Sequence, residues 1–265
     1  MLDLLRRLGL AVFSLAFWTL AFSWMLVGAT LTFVFLLLRV PYQRVHMWIT
    51  APIFVGVVPL ALTRVRIHYH PGFDPERRSV FTQNHINLLD GHLASAAIPH
   101  AFSGLMNAWQ FKIPIYGWLM SMSKGIPVHR GRRDETIKSI SEAARQRASI
   151  GMSVLTFPEG HRTLDGKLRP FRRGVFMMAR NADMPIVPIA VRGMYEVNRK
   201  GSWLFHPGRR VDVYVGPQLY PTGLSDKELG IFADQVRTFM ADCITHDHFP
   251  EAIPTPHPEP KAQAS

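Results

Sequence analysis

The chain of 265 residues has one cysteine, Cys243. A lone thiol excludes an internal disulfide and a multi-cysteine zinc site, and it suits a reducing compartment. We read Cys243 as a small apolar side chain on a helix face. Acidic residues are also scarce: 19 Asp and Glu stand against 30 Lys and Arg, a formal net charge of +11. The favoured partner of such a chain is anionic, whether a lipid surface, a nucleic acid or a phosphorylated substrate. The third absence is local. Between Leu8 and Leu38 there is no Asp, Glu, Lys, Arg or His. That stretch exceeds the roughly 20 residues needed to cross a bilayer core as a helix and the roughly 7–15 of a signal peptide's apolar region.

The simple reading of this run is a transmembrane helix. Arg6 and Arg7 precede it and Arg39 and Arg44 follow it. Basic flanks at both ends favour the cytoplasmic side twice, which predicts a hairpin or re-entrant pair broken near Ser23 to Thr30. A second apolar run, Val45 to Leu62, carries Pro52 and Pro59 and lies at the interface or completes a second membrane element. Residues 1–63 are therefore expected to be membrane-anchoring helices. The expected location is the inner (cytoplasmic) membrane, with the remaining domain on the cytoplasmic side.

From Arg64 the texture changes. Val65, Ile67 and Tyr69 alternate with polar neighbours as a half-buried strand does. Strand-like runs end near Gln83, Met106, His129, Phe157, Val191 and Val215. Helical runs lie between them, clearest at Asp134–Ile150 and from Ser225 to about Ile244. The alternation implies an α/β domain over residues 64–247, a mixed, largely parallel sheet covered by helices. The prolines at 185 and 188 argue for an edge or irregular strand there. Residues 248–265 are rich in Pro, Glu and Ala without periodicity and read as a disordered tail.

The stretch Gln83-Asn84-His85-Ile86-Asn87-Leu88-Leu89-Asp90 follows a β-prone run and opens a helix for which Asp90 is a candidate N-cap. An imidazole and a carboxylate five residues apart on such a corner can meet side chain to side chain. The carboxylate would then select the tautomer and stabilise the protonated ring. The competing reading is a capping Asp beside a partly buried His. Three later segments bear on the choice. Phe157-Pro158-Glu159-Gly160-His161-Arg162-Thr163 ends a strand, with a glycine for close backbone approach and an arginine fork for a phosphate or carboxylate. Gly125-Ile126-Pro127-Val128-His129-Arg130 leads into a basic end, and Pro185–Val191 is an apolar strand.

Taken in order, N-H-x-x-x-x-D, G-I-P-V-x-R, F-P-E-G-x-R and P-I-V-P-I resemble the four blocks of glycerolipid acyltransferases of the 1-acylglycerol-3-phosphate acyltransferase type. The resemblance covers roughly residues 64–220, and the apolar N-terminus looks like the anchoring helices of bacterial members. It implies a membrane-bound O-acyltransferase that makes phosphatidic acid. His85 would be the general base and Asp90 its hydrogen-bonded partner. Asn84, Arg130, Glu159, Gly160 and Arg162 would form the acceptor site. The partners it implies are a lysophospholipid acceptor, an acyl-CoA or acyl carrier protein thioester as co-substrate and an anionic membrane surface. It implies no metal and no cofactor.

Two positions depart from the family pattern. His161 stands where a small hydroxyl residue is usual, and Asn107-Ala108-Trp109-Gln110 where relatives often have a lysine and a glutamate. A missing cation there would favour another lysophospholipid or hydroxylated lipid as acceptor. A metal hydrolase using His85, Asp90 and His92, or Glu159, His161 and Asp165, matches no strong metal spacing. A non-enzymatic basic surface protein draws on Arg169, Arg172, Arg173, Arg180, Arg199, Lys200, Arg209 and Arg210, but no nucleic-acid fold signature accompanies them.

Overall fold

A computed structural model of the chain describes residues 1–113, 116–129, 131 and 133–254. Among the described residues seven strands, β1 (Arg64–Tyr69), β2 (Val80–Gln83), β3 (Phe102–Asn107), β4 (Ile126–Val128), β5 (Ser153–Thr156), β6 (Ile186–Arg192) and β7 (Arg210–Val215), form one sheet. Its order is β1-β7-β6-β2-β5-β3-β4. Every pairing is parallel except β6 with β7. The sheet is therefore mixed and largely parallel, as the alternation of elements predicts.

Alternate residues of each strand feed two different cores, which is why the central strands read as continuous apolar runs. Phe81, Leu155, Val187, Ile189, Val191, Val211 and Val213 face one side. Val80, Val154, Ile186, Ala190 and Tyr214 face the other. That second face is covered by the helices Arg133–Ser149, Arg173–Asn181 and Asp226–His246. The last of these starts with a capping box in which Ser225 and Glu228 satisfy each other's backbone N–H groups. Cys243 is fully buried in this layer.

The first face is covered by Asp90–Ala97 and by the N-terminal apolar segment itself. Helix α1 (Leu2–Leu37) is continuous, so the break expected near Ser23 to Thr30 is not there. A charge-free run without proline has nothing to interrupt its i→i+4 ladder. The reversal comes instead at residues 38–41, and Tyr42–Ala61 returns antiparallel to α1, with π geometry at His46–Thr50 and a 3₁₀ end at Val58–Ala61. Trp24 donates from Nε1 to the Ile53 carbonyl at 3.0 Å, and the Thr32 and Thr50 hydroxyls lie 3.3 Å apart. Gly28 keeps the helices close, since a Cβ there would collide with Ile53.

Both helices are long and apolar enough to cross a membrane. The hairpin is also part of the domain's packing. Phe17 is 2% exposed, its ring centroid 3.9 Å from that of Phe205, and the Phe205 N–H donates to Ser14 Oγ at 2.9 Å. Trp18 Nε1 donates to the Trp203 carbonyl at 2.8 Å.

Pro188 does not mark an edge: β6 runs between β2 and β7. The β7 ladder stops at Val215 opposite Ile189, and the Pro188 carbonyl accepts from Gly216 N–H at 2.8 Å. The donor that proline lacks would point to that same spot, past the ladder's end. Gly216 leaves room for the ring, as a Cβ there would sit 2.6 Å from Pro188 Cγ. Residues 248–254 are also structured: the Phe249 ring lies 5.4 Å from that of Tyr214 and 6.4 Å from that of Phe239. The rest of the expected tail, 255–265, lies outside the described residues.

Candidate active site

Because β5, β2 and β6 are adjacent and parallel, the segments leaving their carboxyl ends meet at one edge of the sheet, the usual place for a site in an α/β protein. His85 leaves β2 there. The corner is pinned from below: Asn84 Nδ2 donates to the Val191 carbonyl at 2.9 Å and its Oδ1 accepts from Val191 N–H at 2.8 Å. Asn87 Nδ2 donates to the Met194 carbonyl at 3.0 Å, and its Oδ1 accepts from Leu89 N–H at 2.8 Å. Asn84, expected to bind substrate, is 5% exposed and holds the strand end in place.

Asp90 is the first residue of its helix and not the cap; Leu89 takes that place. The Asp90 carboxylate folds back into the corner, where Oδ2 accepts from His85 Nδ1 at 2.7 Å, Ile86 N–H at 2.6 Å and Asn87 N–H at 3.0 Å. Its side chain is 1% exposed and that of His85 is 25% exposed. A carboxylate accepts only, so Nδ1 of the imidazole carries the hydrogen and Nε2 keeps its lone pair. The ring stacks on Phe157, with centroids 4.1 Å apart and planes 19° apart. A stacked ring with one nitrogen bonded to a buried acid is held in a single orientation.

The loop after β5 grips the backbone of His85 from both sides. Glu159 Oε1 accepts from His85 N–H at 2.7 Å, and Thr163 N–H donates to the His85 carbonyl at 2.8 Å. Glu159 Oε2 accepts from Arg169 N–H at 2.9 Å. Glu159 is 3% exposed, and burial pushes its carboxyl pKa up, opposed by those two N–H groups. Gly160 has φ +77°, and a Cβ there would lie 2.6 Å from Arg172 Cζ. The glycine thus accommodates a left-handed turn and an arginine laid across it.

Arg162 is half-buried on the same loop. Burial raises the Tyr116 hydroxyl pKa, and the positive charge of Arg162 opposes that rise. Arg130, expected in the acceptor site, lies outside the described residues. Asn107 and Gln110 close a capping box on the turn Ala108–Lys112. His92 is turned away from His85, its ring 4.8 Å from that of Phe54 in the apolar hairpin, and burial pushes its pKa down to about 4. Among the described residues no three His, Cys, Asp or Glu side chains are grouped to hold a metal ion.

The sequence motif for acyltransferases matches residues 64–192, the part of the chain that carries this corner and the loop around it. Over that stretch the chain is similar to the acyltransferase family. A 1-acyl-sn-glycerol-3-phosphate acyltransferase from Limnanthes alba is 27% identical over 172 residues, 65% of this chain and 61% of that protein. The alpha form from Mus musculus is 30% identical over 182 residues, 67% of this chain and 62% of that protein. The chain thus spans about three fifths of these relatives. Among solved structures, the 1-acyl-sn-glycerophosphate (LPA) acyltransferase PlsC from Thermotoga maritima superposes with a TM-score of 0.73 at 21% identity. It covers 89% of this chain and 97% of that one, so the two share a fold over most of this chain's length.

Sequence reasoning missed the pins made by Asn87 and Thr163 and the stacking of Phe157. A second asparagine inside a tight corner was the available signal for the first, since asparagine bonds readily to nearby backbone. The other two depend on a loop distant in sequence.

Proposed function

We propose that this acyltransferase moves a fatty acyl group from an acyl thioester to the free hydroxyl of 1-acylglycerol-3-phosphate, giving phosphatidic acid at a membrane surface. The observation that carries the reading is the 2.7 Å bond from His85 Nδ1 to the buried Asp90 carboxylate. It leaves Nε2 as the base. In the forward step Nε2 takes the hydroxyl proton as the acceptor oxygen attacks the thioester carbonyl carbon. Asp90 stabilises the imidazolium that forms. The C–S bond then breaks, and the departing thiolate takes the proton from Nε2, so the enzyme ends as it began. Acyl-CoA and acyl carrier protein both supply such a thioester. Arg162 and Arg130 supply cationic forks for the acceptor phosphate. The apolar hairpin and the +11 charge suit an enzyme whose acceptor and product are membrane lipids.

The capping box of Asn107 and Gln110 favours a second acceptor class, because it puts neutral amides, already bonded to backbone, where a phosphate-binding lysine would stand. A lysophospholipid with a larger headgroup would then be the acceptor. The test is acyl transfer in detergent micelles from acyl-CoA and from acyl carrier protein. Lysophosphatidic acid is compared with lysophosphatidylcholine, lysophosphatidylethanolamine and glycerol-3-phosphate. We expect lysophosphatidic acid to be preferred, and His85→Ala to lose roughly 10²–10⁴-fold in rate with its melting temperature and membrane association kept. A well-folded His85→Ala protein of normal rate would overturn the mechanism.

A further inference from the structure

One carboxylate in the site bonds two distant stretches of backbone at once. Glu159 has one oxygen on the His85 N–H and the other on the Arg169 N–H, and it is 3% exposed. Neither oxygen is left for a lipid phosphate, which a carboxylate would in any case repel. Arg169 behaves in the opposite way. Its side chain is half-buried, and its Nε is shut off from solvent without a hydrogen-bond partner among the described residues. A buried guanidinium donor left unpaired is unfavourable unless something fills it. Its nearest rival for a partner is Asp165, whose carboxyl pKa is lowered mainly by Lys167 N–H and the Thr163 hydroxyl and only last by the charge of Arg169.

We propose that Arg169 binds the phosphate of the acceptor, and that Glu159 is the positioning residue that keeps this arginine in register with His85. The inference rests on the acyltransferase reading above. In a 1-acylglycerol-3-phosphate the reacting hydroxyl and the phosphate are separated by a short covalent path. A site for it needs its base and its cation at a set spacing, and a misplacement of an ångström is costly in rate. One buried side chain that bonds both backbones provides that spacing more rigidly than two independent loops. The guanidinium fork suits phosphate oxygens, and the exposed part of this half-buried side chain is open to one.

The test uses the full chain in detergent micelles with acyl-CoA and two acceptors, 1-acylglycerol-3-phosphate and the phosphate-free 1-acylglycerol. Arg169→Gln is expected to raise KM for the phosphate-bearing acceptor roughly tenfold, as the loss of one charge-assisted contact does. It should leave KM for 1-acylglycerol and both kcat values within about twofold. Glu159→Gln keeps the shape but turns an NH2 group toward one backbone donor. It should lower kcat roughly tenfold with both acceptors and also raise KM for the phosphate-bearing one. Melting temperatures near wild type establish that each variant is folded, and Arg169→Lys should recover part of the lost KM.

Equal KM changes for both acceptors, or none, in Arg169→Gln would overturn the phosphate assignment. If Asp165→Asn reproduced the Arg169→Gln effect, Asp165 would be the arginine's working partner, and the positioning role of Glu159 would be overturned. A folded Glu159→Gln with unchanged kcat would overturn it too. Wild type inactive on both acceptors would instead overturn the acyltransferase reading, and this inference with it.

Discussion

His85 is useful because every other group on its ring and backbone is already committed. Nδ1 bonds Asp90, the N–H bonds Glu159, the carbonyl accepts from Thr163, and one ring face lies on Phe157. Only Nε2 is left for chemistry. For the proposed base, the conformational entropy of orientation is thus met by folding and not by substrate binding. Gly160 is the residue on which the facing loop turns. Gly160→Ala would force a side chain into left-handed backbone, at about 1–2 kcal/mol, and push Arg172 aside. We expect a melting temperature lower by several degrees, at roughly 2–4 °C per kcal/mol for a chain of this size. KM for the phosphate-bearing acceptor should rise as well. An unchanged melting curve would mean that Arg172 swings away freely and the turn relaxes.

At the scale of elements, the apolar hairpin has two surfaces. One side shows Leu4, Val12, Phe22, Leu26 and Phe33 to the surroundings; the other buries Phe17, Ala21, Val57 and Ala61 in the core of the sheet's first face. An α/β sheet of this kind needs helices on both faces, and here an apolar hairpin serves as most of one layer. Phe17→Ala tests that role. Loss of a buried phenyl ring costs about 3–5 kcal/mol, so the catalytic domain itself should melt far lower. Followed by the fluorescence of the chain's six tryptophans, which lie in both the hairpin and the domain, the transition should shift as one. If the hairpin were only a tether, the domain would melt at the wild-type temperature.

For the whole molecule, the proposed attachment to an anionic bilayer would draw on charge and apolar surface together. Screening shortens the reach of charge from about 10 Å at 0.1 M salt to about 3 Å at 1 M. Apolar insertion is not screened. We therefore expect binding to anionic liposomes to weaken with salt but persist at 1 M, and binding to neutral liposomes to change little. Reversing charge at Arg169, Arg172 and Arg173 should reduce only the salt-sensitive part. Complete release at high salt would show that charge alone holds the protein to lipid, and the exposed hairpin face would need another partner.

The sequence by itself determined the strand-and-helix alternation, the end of β7 at Val215, and the pairing of His85 with Asp90. These are local facts: periodicity, propensity and a five-residue reach. Tertiary structure decided what depends on partners far along the chain. It made Asp90 a buried acceptor in place of a cap, because three donors of the corner converge on it. It pinned Asn84 to Val191, 107 residues away. It placed Pro188 in a central strand, because the neighbouring ladder ends where the missing donor would point. It also moved the hairpin's reversal from Ser23–Thr30 to residues 38–41, because antiparallel packing of Trp24, Gly28 and Thr32 against the returning helix favours an unbroken α1.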